Sequence, residues 1–241
     1  MAPTITWLGH ATTRLILADG RVVFIDPWLT DNPSCPDEAR KPERCDVILL
    51  THGHIDHVGE VQTLIQRSNP IVVGNYDLCS ALRQTIGRGR FEGMNTGGTL
   101  DLGGIRVSLT IAFHSSSVDV SGGLVYAGMP NGIVVKVDGL ATIYQAGDTE
   151  VFGDMRLIAQ MHQPRICILP IGDRFTMGAA GAALACEMLE PAAILPIHYG
   201  TFPLLTGTPD AFRTALAPIY RERLLVPSPG ESMSWTARGL S

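Results

Sequence analysis

Thr51-His52-Gly53-His54-Ile55-Asp56-His57 places three imidazoles and a carboxylate within six residues, directly after the apolar run Asp46-Val47-Ile48-Leu49-Leu50. A short β-branched run ended by a Gly-containing segment reads as a buried strand entering a loop. His52 and His54 would then project from a turn, where alternation could aim both rings at one ion. Asp56 and His57 stand where Val58 to Ile65 begins a helical pattern, and could turn toward a second ion. Imidazole and carboxylate without thiolate form the donor set of zinc and its neighbours in the first transition row. A His-rich surface loop accounts for an isolated histidine pair. It does not account for H-x-H-x-D-H at a strand end.

Outward from this motif the pattern organises the rest. Upstream, Thr12 to Leu17 and Arg21 to Ile25 flank Ala18-Asp19-Gly20, a hairpin signal, and a loop with four prolines follows from Pro27 to Pro42. Downstream come a helix near 58–67, a strand at Ile71-Val72-Val73 and a helix near 76–87. The middle changes character: Thr99 to Leu102, Ile105 to Ile111, Gly132 to Val137 and Leu140 to Tyr144 are joined by Gly103-Gly104 and Asp138-Gly139 turns, which predicts antiparallel hairpins. After residue 150, strands at Ile166 to Ile171 and Ala193 to Ile197 alternate with helices over 152–162, 179–189 and 209–221. Two β-rich halves, each followed by helices, predict an α/β protein: two mixed sheets packed face to face with helices outside, in one domain spanning 1–241.

Composition narrows the function classes. The chain has 241 residues, 45% hydrophobic and 17% charged, with a formal net charge of −5, so a sizeable core is expected and nucleic acid is not an expected partner. No run approaches a membrane span, and Met1 to Leu8 lacks a basic segment followed by a long apolar stretch. The expectation is a cytoplasmic protein with a small-molecule substrate, no membrane association and room for a homo-oligomer. Five cysteines show no C-x-x-C spacing. Cys79, Cys167 and Cys186 read as buried hydrophobes; Cys35 and Cys45 bracket the Pro-rich loop, and free thiols are expected in a reducing cytosol.

Three more ligand types sit just after apolar runs. His114 follows Ile105 to Phe113, Asp148 follows the strand Leu140 to Tyr144, and His198 follows Ala193 to Ile197. A lone histidine at a strand end is more often structural. With the first motif, however, these residues supply what two metals require: His52, His54 and His114 as a three-nitrogen site, Asp56, His57 and His198 as a second, and Asp148 as a bridge.

The order H-x-H-x-D-H, His, Gly-Asp-Thr, His resembles the metallo-β-lactamase superfamily. Within it, Trp7-Leu8-Gly9-His10-Ala11, Ile25-Asp26-Pro27, Gly128-Met129-Pro130-Asn131-Gly132, Phe175-Thr176-Met177-Gly178 and His198-Tyr199-Gly200-Thr201-Phe202-Pro203 look like the branch of metal-dependent hydrolases related to ascorbate-phosphate lactonase. The resemblance implies an αββα sandwich with a shallow dinuclear site at one edge of the two sheets, and hydrolysis. Two divalent cations would be held, zinc by default, with manganese, iron, nickel or cobalt also compatible with the donors. A water shared by two cations would ionise near neutral pH, with a pKa of about 7 against about 15.7 in bulk, and serve as the nucleophile. Asp56 would ligate and orient it, and Asp148 would bridge.

Other residues carry weaker expectations. Asp26 would fix an imidazole tautomer. His10 would line the pocket and donate to the substrate or to the bridging aspartate. Arg174, Asp173 and Tyr199 would bind the leaving group, and Trp28 and Phe202 would wall the pocket, although core packing is the commoner use of either aromatic. His162, at a helix end, suits the helix dipole and is set outside the site. Di-iron flavoproteins of the superfamily carry Glu where His54 stands, and common zinc β-lactamases use a Cys ligand and lack the bridging Asp; electron transfer and penicillin hydrolysis are therefore disfavoured. The leading expectation is a hydrolase of a small ester, lactone, amide or phosphoester. The alternatives are a phosphodiesterase or nuclease of the same fold, and a metal-binding ligand sensor without turnover.

Overall fold

The computed structural model describes residues 1–120 and 122–241. β1 (Thr4–Trp7), β2 (Thr13–Ile16) and β3 (Val22–Ile25) are antiparallel neighbours, and the β2–β3 turn closes at Gly20 with φ +84°. β4 (Val47–Leu49), β5 (Ile71–Asn75) and β6 (Arg90–Met94) continue the sheet in parallel. Helices α1 (Ile55–Val58), α2 (Val61–Ser68) and α3 (Tyr76–Ile86) make the crossovers. β7 (Thr99–Asp101) and β8 (Ile105–Ile111) open a second sheet, and β9 (Ser117–Val120) and β10 (Gly123–Tyr126) form a separate hairpin. β11 (Asn131–Val137) and β12 (Ile143–Gln145) then extend the second sheet antiparallel, and β13 (Ile166–Pro170) and β14 (Ala193–Ile197) in parallel. α4 (Met155–His162), α5 (Ala179–Leu189), α6 (Pro209–Ala215) and α7 (Pro218–Arg221) accompany this half. Finally β15 (Ser232–Thr236) returns to pair with β1, with β16 (Gly239–Leu240) beside it.

The sheets therefore run β16-β15-β1-β2-β3-β4-β5-β6 and β14-β13-β12-β11-β8-β7. Their facing surfaces share one core, with Ile5, Leu15, Val23 and Leu49 against Leu109, Ile133, Ile143 and Ile168. The inner parallel strands β4 and β13 are apolar on both faces, as sheets covered on both sides require, whereas the edge strand β6 carries exposed Arg90 and Glu92. Val47 and Leu49 point to the core between the sheets while Ile48 and Leu50 meet Leu64, Ile65 and Leu78 of the outer helices. In the same way, Ile166 and Ile168 face inward and Cys167 and Leu169 meet Met155, Ala182 and Phe212. The layers are helix, sheet, sheet, helix, as expected. Among the described residues, no helix is long and apolar enough to cross a membrane.

Two expected helices are each divided. The helix near 58–67 is interrupted at Gly59-Glu60 because Glu60 is drawn into the preceding loop: its carboxylate accepts from Leu29 N (2.9 Å), Thr30 N (2.8 Å) and Thr30 Oγ1 (2.8 Å). Gly59 lies so close to the Trp28 ring that a Cβ would stand 2.8 Å from Trp28 Cδ1. The helix over 209–221 breaks before Pro218, which pushes Ala217 to ψ 145° and leaves two short helices. β6, the β9–β10 hairpin and the β15–β16 pair were not anticipated.

Candidate metal centre

Each expected ligand leaves a sheet just beyond the C-terminal end of a strand, or continues the turn that does so. β4 delivers His52 and the start of α1; β8, β12 and β14 deliver His114, Asp148 and His198; β1 and β3 deliver His10 and Asp26. His10, Asp26 and His198 adopt φ values of 52°, 50° and 57°, a region that non-glycine residues rarely occupy and that persists where surrounding bonds over-determine it. Those bonds are present. His198 N donates to His10 O at 2.9 Å, Trp7 Nε1 donates to the same oxygen at 2.9 Å, and Thr12 Oγ1 donates to Asp26 O at 2.7 Å. The first of these ties one sheet's edge to the other's.

Asp26 governs the direction of two imidazoles. Its Oδ1 accepts from Thr51 N (2.8 Å), and its Oδ2 accepts from Thr51 Oγ1 (2.6 Å) and His57 Nδ1 (2.8 Å). His57 thus turns Nε2 inward, 3.5 Å from Asp148 Oδ2. Thr51 has spent its only hydroxyl proton on Asp26, so at 3.0 Å it accepts from His52 Nδ1, which turns His52 Nε2 toward His54 Nδ1 at 2.9 Å. Asp26, Thr51, His52 and His57 are all fully buried.

Three overlapping groups result, in each of which the candidate ligand atoms lie within 4.8 Å of one another: His52, His54 and His114; His52, His57 and Asp148; and His10, Asp56, His57 and His198. Asp148 lies between them, with Oδ2 3.0 Å from His198 Nε2 and 3.6 Å from His114 Nε2. His198 Nε2 and His57 Nε2 are 3.9 and 4.0 Å from Asp56 Oδ2. All seven expected ligands converge.

Charge is unevenly distributed. Burial opposes ionisation of Asp148 and Asp56, but His198 and His57 outweigh it at Asp148, and the His10 hydrogen bond and His57 outweigh it at Asp56; both carboxyls are held below the usual range. At His57 burial is overcome by Asp148 and Asp26, which raise its pKa well above the ordinary imidazole value. Burial lowers His52, His54 and His114. It also lowers His10 to about 4, against the opposing pull of Asp56.

The geometry corrects one expectation. His10 is fully buried and bonds Asp56 Oδ2 through Nε2 at 2.9 Å and Thr201 Oγ1 through Nδ1 at 3.0 Å, rather than reaching Asp148 or open pocket. Those two bonds hold the ring against α1 and the turn after β14. The substrate candidates are dispersed. Arg174 is exposed, with its guanidinium 5.7 Å from the Phe175 ring centroid, and no hydrogen bond or ion pair among the described residues joins it to the cluster. Asp173 accepts from Thr206 Oγ1 (3.1 Å), 33 residues further along the chain, and is not tied to the cluster. The half-buried Tyr199 ring stacks on Trp7 at 5.2 Å, and burial pushes its phenol up to about 12. Trp28 and Phe202 do flank the cluster, with centroids 5.1 and 5.6 Å from His10. His162 ends α4 on the outer layer. Cys35 and Cys45 are buried and unpaired.

The roles of Thr51 and Thr201 were missed. Thr51 directly precedes the first histidine, so a hydroxyl at that position was the available signal; nothing local to Thr201 pointed to His10.

A β-lactamase superfamily domain model matches residues 21–199. The chain belongs to that superfamily. A protein from Methylobacterium nodulans named UPF0173 metal-dependent hydrolase is 46% identical over 217 residues, covering 88% of this chain and 91% of its own. One of the same name from a Roseiflexus species is 42% identical over 214 residues, covering 87% and 88%. Among solved structures, Igni18, a novel metallo hydrolase from the hyperthermophilic archaeon Ignicoccus hospitalis, superposes with a TM-score of 0.84 at 30% identity, covering 96% of this chain and 97% of that one. The metallo-β-lactamase fold protein YhfI from Bacillus subtilis gives 0.72 at 13% identity, covering 96% and 99%, a likeness of fold alone. In this β-lactamase superfamily chain, the His/Asp cluster is able to bind metal.

The cluster's own chemistry meets that requirement. His57 Nε2, His198 Nε2 and Asp148 Oδ1 are buried without a hydrogen-bond partner among the described residues. A buried polar atom left unpaired costs roughly 1–3 kcal/mol. Several such atoms converging at one point indicate a ligand that completes them, and lone pairs of imidazole and carboxylate suit a divalent first-row cation.

Proposed function

We propose that this chain is a dinuclear metal-dependent hydrolase acting on a small ester, lactone, amide or phosphoester. The observation that carries the reading is the convergence of unpaired, buried imidazole and carboxylate atoms around Asp148. His52, His54 and His114 would hold one cation, and Asp56, His57 and His198 the other. Asp148 would be shared. When bound, the cations would supply Lewis acidity and a lowered pKa for water, the source of a nucleophile at neutral pH.

The protein's residues prepare the site for this. Asp26 and Thr51 fix the Nδ1 protons of His57 and His52, so both rings present Nε2 without reorganisation. The neutral His10 donates to Asp56 Oδ2 and leaves Oδ1 of that ionised carboxylate to orient an attacking proton donor. Asp56 is the one candidate carboxylate with appreciable solvent access, its side chain 25% exposed against 3% for Asp148, which favours it for contact with reactants. Zinc is the first choice of metal and manganese the second.

Elemental analysis of wild type and His54→Ala, with rates on a panel of lactones, aryl esters and bis-nitrophenyl phosphate, tests the reading. We expect two metals per wild-type chain, about one in the variant, and loss of most turnover. Equal metal content in the two proteins, or no turnover of any substrate class by the loaded wild type, would overturn it.

A further inference from the structure

A groove of about 740 Å³ opens directly beside the cluster, sharing His54 and Asp56 with it. It runs between α1 and α2 on one side and α3 and the β9–β10 hairpin on the other. Its size falls within the range of small-molecule sites, roughly 300–1,000 Å³. Ile55, Val58, Val61, Leu82, Ile86 and Leu124 line it. Every one is aliphatic, and among the described residues no Phe, Tyr or Trp lines the groove; its single ring is the His54 imidazole at the cluster end. Ile55 and Leu124 are 73% and 78% exposed, so these two walls are unsatisfied in the free protein. Among the described residues, the carboxylates of Asp56 and Asp119 are the lining acids, and no Lys or Arg lines the groove.

From this we infer that the groove holds a neutral aliphatic acyl chain of the substrate, with the carbonyl to which it is attached lying at the cluster. The assignment rests on the hydrolase reading above and gives it a substrate class: esters or lactones of aliphatic carboxylic acids whose chain is uncharged. Hydrolysis of such a substrate balances simply. Water adds its oxygen to the carbonyl carbon, the acyl C–O bond breaks, and the proton leaves with the departing alkoxide. Continuity with His54 and Asp56 places chain and scissile bond in one binding event, and the carboxylate of Asp119, away from the cluster, disfavours a chain ending in an anion. The absence of Lys and Arg from the described lining likewise disfavours a chain that carries phosphates along the groove.

Two measurements separate this inference from the reading beneath it. First, calorimetric binding of neutral N-alkyl acetamides, propyl to decyl, to the metal-free protein should tighten about fourfold per added methylene until the groove is full. Second, kcat/KM of the metal-loaded protein for 4-nitrophenyl alkanoates should rise with the same slope, and a terminal carboxylate on the chain should cost more than tenfold. Leu124→Asp and Thr85→Trp, both at exposed positions lining the groove, should flatten both slopes. Leu157→Asp, on exposed α4, should leave them unchanged. A flat binding series, or anionic chains bound as well as neutral ones, overturns the groove assignment. Graded binding by a loaded protein that hydrolyses none of the esters overturns the hydrolase reading instead. Slopes that survive Leu124→Asp and Thr85→Trp show that the chain binds elsewhere and also overturn the assignment.

Discussion

Donors on the β3–β4 side of the cluster are held quite differently from those facing solvent. His52 and His57 are fully buried, and a single carboxylate, Asp26, directs both through hydrogen bonds of 2.6–3.0 Å. His54 and His114 are only partly buried, and the outer nitrogen of His54 has only Ser115 Oγ at 3.5 Å, too long to fix its orientation. One wall pre-aims lone pairs; the other stays open beside the aliphatic groove. Positioning and access are thus assigned to different segments of chain, and a substitution should disturb one without the other.

The largest test of that division is Asp26→Ala. It releases both buried rings at once, so metal affinity should fall by at least the 10–100-fold typical of losing an outer partner, and the melting temperature should fall with it. Metal titration and a thermal melt measure both; undiminished affinity would erase the distinction between the walls. Next is Glu60→Ala, which removes three accepted hydrogen bonds and frees the Trp28 loop. A loss of about 2–4 kcal/mol in denaturant unfolding is expected, with metal content retained.

A smaller effect concerns pH. Burial pushes Cys45, Cys79 and Cys186 up to about 12, from an ordinary thiol near 9.0. The protonated thiol is therefore favoured by the fold. This stabilisation is complete below about pH 9 and declines as pH rises toward 12, where the unfolded chain ionises first. Alkylation at pH 8 should leave native thiols unmodified and label all five after denaturation. At the bottom of the scale, His162→Ala on α4 should leave metal content and rate unaltered, and a change there would link the outer helix layer to the site.

The ligands were legible because each is a histidine or aspartate following an apolar run, a local contrast that survives in sequence. The layers were legible for a related reason: the β4 and β13 runs are apolar at every position, as burial on two faces demands. The groove gave no such signal. Its wall gathers α1, α2, α3 and a hairpin, and Val61 or Leu82 looks like any core residue until the gap beside it is seen. β10 is exposed along its whole length, so it shows no alternation to reveal a strand. β15 does alternate, with Met233 and Trp235 buried between exposed neighbours, but its partner β1 lies at the opposite end of the chain. The His10–Asp56 pair depends on a positive φ, which residue identity alone does not dictate.

The pairing of β15 with β1 carries a kinetic consequence. Thr4 opposes Ser234, Trp235 Nε1 bonds Ala141 O, and the strand so enclosed ends beside His10. Contacts this distant along the chain are slow to form, because nearly the full loop-closure entropy is lost before they contribute. The order of assembly is therefore constrained: the hairpin β2–β3 and the helical crossovers can form early, whereas the shell around His10 matures with the late docking of the terminal strand.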